Sequence, residues 1–208
     1  MPNTVEELQR NLCEARDAYY ALRGKPFDID ESRKRHDAVL EAEAELARVR
    51  SEPYAIPFEL EIETGREAPM VLCGDLTTVL ICEASNRKED DRAEDAGYAI
   101  IEFPLCQWST FGYPNDEAIE GHPMYGKGFD AYGAFEVFNS PWARRMTAQN
   151  RVSFPDTKNS ACRHLIFSFH ESTFECLAER IYVTTMKANY SEVFRAATEI
   201  ANRKPTRA

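Results

Sequence analysis

The sequence predicts an α+β protein, in which an N-terminal antiparallel, coiled-coil-like helical hairpin precedes a mostly antiparallel β-sheet domain with two short helices. Apolar residues in the first 50 positions recur at steps of three and four, the helical period, and beyond Pro53 the period changes to about two, that of strands. Few of the predicted strands alternate with helices, which favours antiparallel pairing. We therefore expect a hairpin domain over residues 1–52 and a sheet domain over residues 53–208.

The first predicted helix begins after Thr4, which forms a capping box with Glu7. Its apolar positions make a heptad-like seam of Val5, Leu8, Leu12, Ala15, Tyr19 and Leu22. Gly24 and Pro26 end this helix, and a second helix over residues 31–50 repeats the pattern with Val39, Ala42, Leu46 and Val49. Because the connection is short, the two helices should lie antiparallel.

Two such helices leave seam residues that a four-helix arrangement would bury. We therefore expect the chain to form a homo-oligomer, or to bind a partner, through Leu8, Leu12, Tyr19, Val39 and Leu46. The alternative, in which the hairpin packs on its own sheet, stays open at this point.

Beyond the hairpin, seven segments have the pattern of strands: residues 58–63, 70–73, 76–84, 97–106, 131–138, 163–170 and 174–184. A charged run, NRKEDDRAED, separates the third strand from the fourth. Ser140 as N-cap and Pro141 as the first helical residue start a short helix to about Gln149. Asn189 and Glu192 start a final helix.

The net charge of −10 is unevenly distributed along the chain. Residues 53–130 hold 16 acidic and 5 basic side chains, a net charge of −11, whereas residues 131–208 hold 7 acidic and 11 basic ones, a net charge of +4. A protein that binds nucleic acid normally presents a basic footprint. The acidic middle therefore argues against a nucleic-acid partner and suits a basic protein partner.

No apolar run approaches the roughly 20 residues that cross a bilayer, so we expect no membrane-spanning segment. The beginning of the sequence, MPNTVEELQRNL, is too acidic and polar for a secretory signal. The expected compartment is therefore the cytoplasm.

Several motifs that identify catalytic or metal-binding proteins are missing. There is no Walker loop, GxGxxG or GxSxG, and His170-Glu171 does not complete HExxH because position 174 is Phe174. The six cysteines form no CxxC pair, so we expect no metal site, and the sequence identifies no cofactor. In a strand, Cys176 lies on the same face as Phe174 and Ala178, which predicts a core thiol rather than a nucleophile.

One segment, RHLIFSFHESTFECLAERIYV, contains two of the four histidines. As a strand it places His164 and His170 on one face, but about 20 Å apart, too far to share a metal ion. A tight two-residue turn would pair His170 with Glu175 across a β-hairpin. Ser172 and Glu175 also satisfy a capping box, so a helix over residues 171–180 is the alternative.

Residues 111–133, FGYPNDEAIEGHPMYGKGFDAYG, lack a helical or strand period and are rich in glycine, proline and aromatic residues. Loops of this length in a compact domain are usually functional or disordered, and the aromatic residues argue against disorder. The candidate binding or acid/base residues are therefore those of this loop and of the polar strand face: Asp116, Glu117, His122, His170 and Glu175.

These observations predict a small acidic cytoplasmic interaction protein, of the bacterial immunity or inhibitor type, with a basic protein as partner. The alternative is an enzyme that acts on a small molecule, with a histidine and carboxylate pocket under the 111–133 loop. An enzyme should gather these groups around a concave pocket, whereas an interaction protein should present a broad acidic or apolar surface.

Overall fold

The helical hairpin forms as predicted. The computed structural model of the chain describes residues 3–24, 26–58, 60, 62–64, 69–87, 93–156 and 162–203. Two helices pack together at the N-terminal end: α1 (Val5–Tyr20) and α2 (Ile29–Val49). Arg16 of α1 bonds Glu43 of α2, and Arg35 of α2 bonds the carbonyl of Ala18. Arg16 comes before Ala18 in α1, but its partner Glu43 comes after Arg35 in α2, so the two helices are antiparallel.

The strands follow the hairpin, with two further helices among them. In chain order the strands are β1 (Tyr54–Pro57), β2 (Glu63–Thr64), β3 (Met70–Cys73), β4 (Thr77–Arg87), β5 (Ala93–Pro104), β6 (Trp108–Gly112), β7 (Gly133–Phe138), β8 (Arg163–Ser168), β9 (Thr173–Ala178) and β10 (Tyr182–Met186). The helices are α3 (Pro141–Ser153), after β7, and α4 (Tyr190–Ala201), after β10. A 3₁₀ helix, Asp116–Gly121, lies between β6 and β7.

Two antiparallel sheets, rather than one, are built from these strands. Sheet A has the order β1-β7-β8-β9-β6, and sheet B has the order β10-β5-β4-β2, with β3 also paired to β4. The α+β class and the antiparallel pairing are therefore confirmed. The division into domains at residue 52 stays a prediction, and the loop residues 88–92 of the charged run lie outside the described residues.

Two predicted strands differ from those observed, and one observed strand was not predicted. In place of a strand over 58–63, β1 ends at Pro57 and β2 begins at Glu63. The predicted strand 174–184 is two strands, because β9 belongs to sheet A and β10 to sheet B, and the chain crosses between the sheets near Arg180. The sequence analysis missed β6, which pairs with β9 at the edge of sheet A.

The main core lies between the two sheets. Sheet A contributes Leu165, Phe167, Phe174, Cys176 and Ala178, and sheet B contributes Leu80, Cys82, Ala99, Ile101 and Phe103. The prediction for Cys176 is confirmed, since its side chain is fully buried and burial raises the pKa of its thiol well above the ordinary value. Strands β8 and β9 form the predicted hairpin. The alternative, a helix over residues 171–180, is not observed, because β9 occupies Thr173–Ala178.

The outer face of each sheet is covered by a different kind of element. Helix α4 covers sheet B through a small apolar cluster that includes Val193, Ala197, Val79, Ile81 and Ile100. Sheet A is covered by α2 and by the residues between β6 and β7, through Leu40, Ile119, Met124, Phe129, Phe135 and Ile166. Within the described ranges, none of the helices has both the length and the apolar character to cross a membrane.

The hairpin seam is partly used inside the single chain. Leu8, Val39 and Leu46 are buried, whereas Leu12 and Tyr19 are half-buried. Helix α2 also packs on β1, which answers the question of whether the hairpin contacts its own sheet. Oligomer formation through the seam stays a prediction.

Candidate functional site

The connection between β6 and β7, residues 113–132, is the element that carries most of the predicted site residues; we call it the cover loop. Its three apolar anchors, Ile119, Met124 and Phe129, are buried against the outer face of sheet A. Gly128 has a left-handed φ of 86°, and a Cβ there would lie 2.3 Å from the carbonyl oxygen of Ala55. Only glycine therefore allows the loop to approach β1 this closely.

The predicted cross-strand pair of His170 and Glu175 is wrong. In the observed register Glu175 lies opposite Ile166, and His170 lies in the turn between the two strands. The turn is centred on His170 and Glu171 rather than on Ser172 and Thr173, and beside it the Phe169 N–H donates to the Ser172 carbonyl. Phe169 and Ser172 are both buried, so the two residues that flank the turn lie in the interior.

Glu175 instead forms the centre of a group that we call the inner cluster: His122, Ser140, His164 and Glu175. His164 Nε2 lies 2.8 Å from Glu175 Oε2, and His122 Nε2 lies 3.4 Å from Oε1. The Met124 N–H donates to His122 Nδ1 over 3.2 Å. His122 therefore carries its proton on Nε2 and donates it to Glu175.

Ser140 continues the inner cluster on the far side of His164. The Ser140 hydroxyl lies 2.9 Å from His164 Nδ1, and its oxygen also accepts the Ala143 N–H as the N-cap of α3. With the neutral His164 ring protonated on Nε2, the Ser140 hydroxyl donates to Nδ1 and His164 donates to Glu175. Four side chains thus form one continuous line of hydrogen bonds.

Glu175 is an anion within this line. Burial by itself would raise the pKa of the carboxyl group, but the hydrogen bonds from His122 and His164 outweigh it and hold the pKa at about 2. The side chain of Glu175 is 22% exposed, whereas His122 and His164 are almost fully buried. The cluster therefore joins the cover loop, through His122, to the middle of sheet A.

A second group, the outer cluster, contains Asp116, Tyr132 and His170. His170 Nδ1 lies 2.8 Å from Asp116 Oδ2, and the Tyr132 hydroxyl donates to the same oxygen. These two hydrogen bonds, that from Tyr132 first, lower the pKa of Asp116. Tyr132 has a left-handed φ of 61°, uncommon for a residue with a large side chain. His170 is 44% exposed, so this cluster faces solvent.

The far end of the cover loop is attached to the helical hairpin. His36 Nε2 of α2 lies 2.9 Å from Asp130 Oδ2, and the hydrogen bond that His36 donates to Asp130 raises the pKa of His36 against the opposing effect of burial. The buried Glu43 accepts from Arg16 over 2.8 Å and from the Gly128 N–H over 3.4 Å. All four histidines of the chain therefore lie within 3.4 Å of a carboxylate oxygen.

The five predicted site residues do not form one constellation. Asp116 meets His170 in the outer cluster, His122 meets Glu175 in the inner cluster, and the Glu117 side chain is exposed. Sequence analysis missed three members of these clusters: Tyr132, Ser140 and His164. The parity of β8 did place His164 on the polar face, but Ser140 was recognised only as a helix cap, and no pattern identified Tyr132.

The chemistry open to these clusters is limited by how fully their atoms are paired. Within the described ranges no group of three or more histidine, cysteine, aspartate or glutamate side chains could hold a metal ion, and no buried side-chain nitrogen or oxygen lacks a partner. Ser140, His164 and Glu175 are the residue types of an acyl-transfer triad. The Ser140 side chain is nevertheless buried and caps α3, so its first role is structural.

Comparison of the chain with family models, with curated proteins and with solved structures gives no match. What the protein does must therefore be inferred from its own residues. Those residues describe a cover loop that is held firmly on its inner side and is polar and aromatic on its outer side.

Proposed function

We propose that this chain is a small acidic interaction protein of the bacterial cytoplasm, of the immunity or inhibitor type, which binds a basic protein through the outer surface of the cover loop. The observation that carries the proposal is the contrast between the two sides of the loop. Its inner side is attached at several points to sheet A and to α2, while its outer side exposes tyrosine and carboxylate groups.

The attachment points are spread along the whole loop. Asp116 is bonded to His170 near its start, His122 to Glu175 in its middle, and Asp130 to His36 near its end. Such spacing leaves little freedom for the backbone between these points. A loop that is already ordered loses less conformational entropy on binding, which favours affinity.

The outer side of the cover loop has the composition of a binding surface for cations. Tyr113 is 80% exposed and Tyr125 is 40% exposed, and the side chains of Glu117 and Glu120 are also exposed. The loop holds four acidic residues and one basic residue, Lys127. Tyrosine is enriched in protein interfaces, and carboxylates pair with arginine and lysine, so a basic partner complements this surface.

The test is an affinity capture from the native host with the full chain as bait, followed by mass spectrometry and by binding measurements with the purified partner. Exchanging Glu117 and Glu120 for lysine should weaken binding by about tenfold or more and reduce its salt dependence. The control is Glu199→Lys, an exposed position on α4. Equal binding by both variants, or a partner without a basic surface, would contradict the proposal.

The alternative function is an enzyme that acts on a small molecule, and one observation favours it: the hydrogen-bonded line from Ser140 through His164 to Glu175. In an acyl-transfer reaction His164 would take the proton of the serine hydroxyl, and Glu175 would stabilise the charged ring. A fluorophosphonate probe tests this directly. Labelling of the parent chain and not of Ser140→Ala would favour the enzyme, whereas we expect no labelling of either.

Self-association is a separate expectation, and it concerns the hairpin rather than the cover loop. Of the seam residues, Leu12 and Tyr19 keep part of their surface accessible. If the seam joins two copies, Leu12→Asp should shift the sedimentation coefficient to that of a monomer at micromolar concentration. Gln9→Asp, at an exposed position of α1, is the control, and an unchanged profile for Leu12→Asp would exclude this interface.

A further inference from the structure

A second surface, which adjoins the start of the cover loop, is formed by β6 and the C-terminal end of α3. Strand β6 is the last strand of sheet A, and no other described strand pairs with its free edge. Residues 103–115, which include β6, contain no charged side chain, although 29% of the chain is charged. Exposed edge strands are usually protected by charges or proline. The residues of β6 include neither.

The backbone groups at this free edge can be identified from the hydrogen-bond ladder. The N–H of Phe169 donates to the carbonyl of Ser172, and hydrogen-bonded pairs alternate along antiparallel strands. Glu175 therefore directs its backbone groups toward β6, where Thr110 lies opposite it. The residues whose N–H and C=O groups point away from β9 are the neighbours of Thr110: Ser109 and Phe111.

A groove begins where β6 begins. A cavity of about 420 Å³ lies between Trp108 of β6 and the end of α3, and its other lining residues are Gln149, Asn150, Val152, Ser153 and Phe154. Val152 and Phe154 are 84% and 62% exposed. Two large apolar side chains at the rim of a groove beside an open sheet edge form the kind of surface that binds a partner.

The charge of α3 indicates which partner would fit. The helix has no acidic residue and three arginines, Arg144, Arg145 and Arg151, in a chain whose net charge is −10. Arg145 is exposed and lies one turn before Gln149, which lines the groove, so both are on one side of the helix. A negatively charged ligand is therefore favoured at this position.

We propose that the free edge of β6 and the adjoining groove bind an extended acidic peptide segment of a partner protein, which adds to sheet A as a sixth strand. The backbone groups of Ser109 and Phe111 supply the main-chain hydrogen bonds, and the groove at Trp108 takes an apolar side chain of the peptide. Arg145 pairs with a carboxylate of the peptide. The residues of this surface are not those of the proposed function, and the proposal does not depend on that function.

A second copy of the chain would fit this surface less well. In an edge-to-edge dimer, β6 would meet another β6, whose residues include no acidic side chain that could pair with Arg145. An acidic peptide supplies both strand pairing for the open backbone groups and a carboxylate for Arg145. The charge complementarity thus selects a peptide over a second copy.

The experiment selects binders to the full chain from a phage library of random peptides about twelve residues long, and then measures synthetic peptides of the selected sequences by fluorescence anisotropy. We expect selected sequences with acidic residues around one apolar residue. Phe111→Pro removes the outward N–H, and Phe111→Ala is its matched control, which removes only the ring. The proline variant should bind about tenfold more weakly than the alanine variant.

Two further comparisons complete the test. Arg145→Glu should weaken binding by about tenfold, whereas Arg195→Glu, at an exposed position of α4, should change it by less than about twofold. If Phe111→Pro lowers the melting temperature too far for binding to be measured, amide exchange of the parent chain replaces it: bound peptide should slow exchange at Ser109 and Phe111.

Four results would overturn the proposal. They are the absence of enriched peptide sequences, equal binding by the proline and alanine variants, a dimer that Phe111→Pro dissociates and Phe111→Ala does not, and tighter binding of single-stranded oligothymidylate than of any selected peptide. Unchanged amide exchange at both positions in the presence of the peptide would be equally decisive.

Discussion

The outer faces of the two sheets are covered in different ways. On sheet B, α4 lies on Val79, Ile81 and Ile100 through apolar side chains such as Val193 and Ala197. A helix satisfies most of its own backbone hydrogen bonds, so apolar contact is enough to hold it. On sheet A, the cover loop has an irregular backbone and must be fixed by separate polar contacts. The difference explains why each of the four histidines pairs with a carboxylate of the cover loop or of the strands beneath it.

This contrast also separates the two faces by their sensitivity to pH. Apolar contact between α4 and sheet B does not depend on pH, whereas the sheet A face includes Glu175, whose pKa is lowered, and His36, whose pKa is raised. A single substitution on the sheet A face should therefore have an effect that changes with pH. A substitution on the sheet B face should have an effect that does not.

The largest effect should come from Glu175→Ala, which removes the carboxylate that His122 and His164 share. Two buried imidazole N–H groups would then lose their acceptor, and we expect a loss of about 3 kcal/mol in the free energy of unfolding. Urea unfolding followed by tryptophan fluorescence measures it, since Trp142 lies against the His164 ring. Glu179→Ala, at an exposed position just after β9, is the control. A loss below about 1 kcal/mol would mean that the inner cluster contributes little.

Acid should weaken the sheet A face through the same residue. The pKa of Glu175 is about 2, below its ordinary value of 4.5, so its stabilising effect is complete above about pH 4.5 and is lost as the pH falls toward 2. The parent chain should therefore lose more stability than Glu175→Gln between about pH 6 and about pH 3. Denaturant unfolding at several pH values checks this. If the free energy of unfolding fell equally with pH in the two proteins, Glu175 would not be the cause of the loss of stability in acid.

A truncation on the sheet B face should have a smaller effect that does not vary with pH. Val193 is fully buried between α4 and sheet B, and Val193→Ala should reduce the free energy of unfolding by about 2 kcal/mol through lost burial and a small cavity. The difference from the parent should be the same at about pH 5 and about pH 8. If this difference in the free energy of unfolding changed clearly with pH, the proposed distinction between the two sheet faces would be wrong.

The same contrast determines what could be predicted from the sequence. The caps at Thr4, Ser140 and Asn189 are confirmed, because a cap depends on residues three or four positions apart. The parity of β8 is also local and correctly placed Phe167 in the core. The edge strand β6 was missed because its sequence, WSTFG, neither alternates apolar with polar residues nor forms an apolar run.

The polar clusters could not be derived from local patterns. The contact between His164 and Glu175 depends on the register of β8 and β9, and that register follows from a turn centred on His170 and Glu171, two positions earlier than the sequence analysis placed it. Asp116 and Tyr132 are 16 positions apart in a segment without a period. The path of such a segment is set by tertiary contacts, which no spacing in the sequence encodes.

The smallest effect, with the opposite dependence on pH, should come from His36, which attaches α2 to Asp130. Its pKa is raised by the hydrogen bond that it donates to Asp130, so its stabilising effect is complete below about pH 6.5 and is lost as the pH rises through the folded value. The side chain is 29% exposed, which limits the effect to under about 1 kcal/mol. His36→Asn should remove this dependence, while Asp37→Asn, at the exposed neighbouring position, should retain it.

Amide exchange near Asp130, measured at about pH 6 and about pH 8, is a more local measure of this attachment than global unfolding. After correction for the intrinsic rate, exchange in the parent chain should be faster at the higher pH, and in His36→Asn it should be equally fast at both. If the parent shows no such change, the hairpin is held to the cover loop by Glu43 and the apolar contacts of α2, and the sheet A face depends on pH only through its carboxylates.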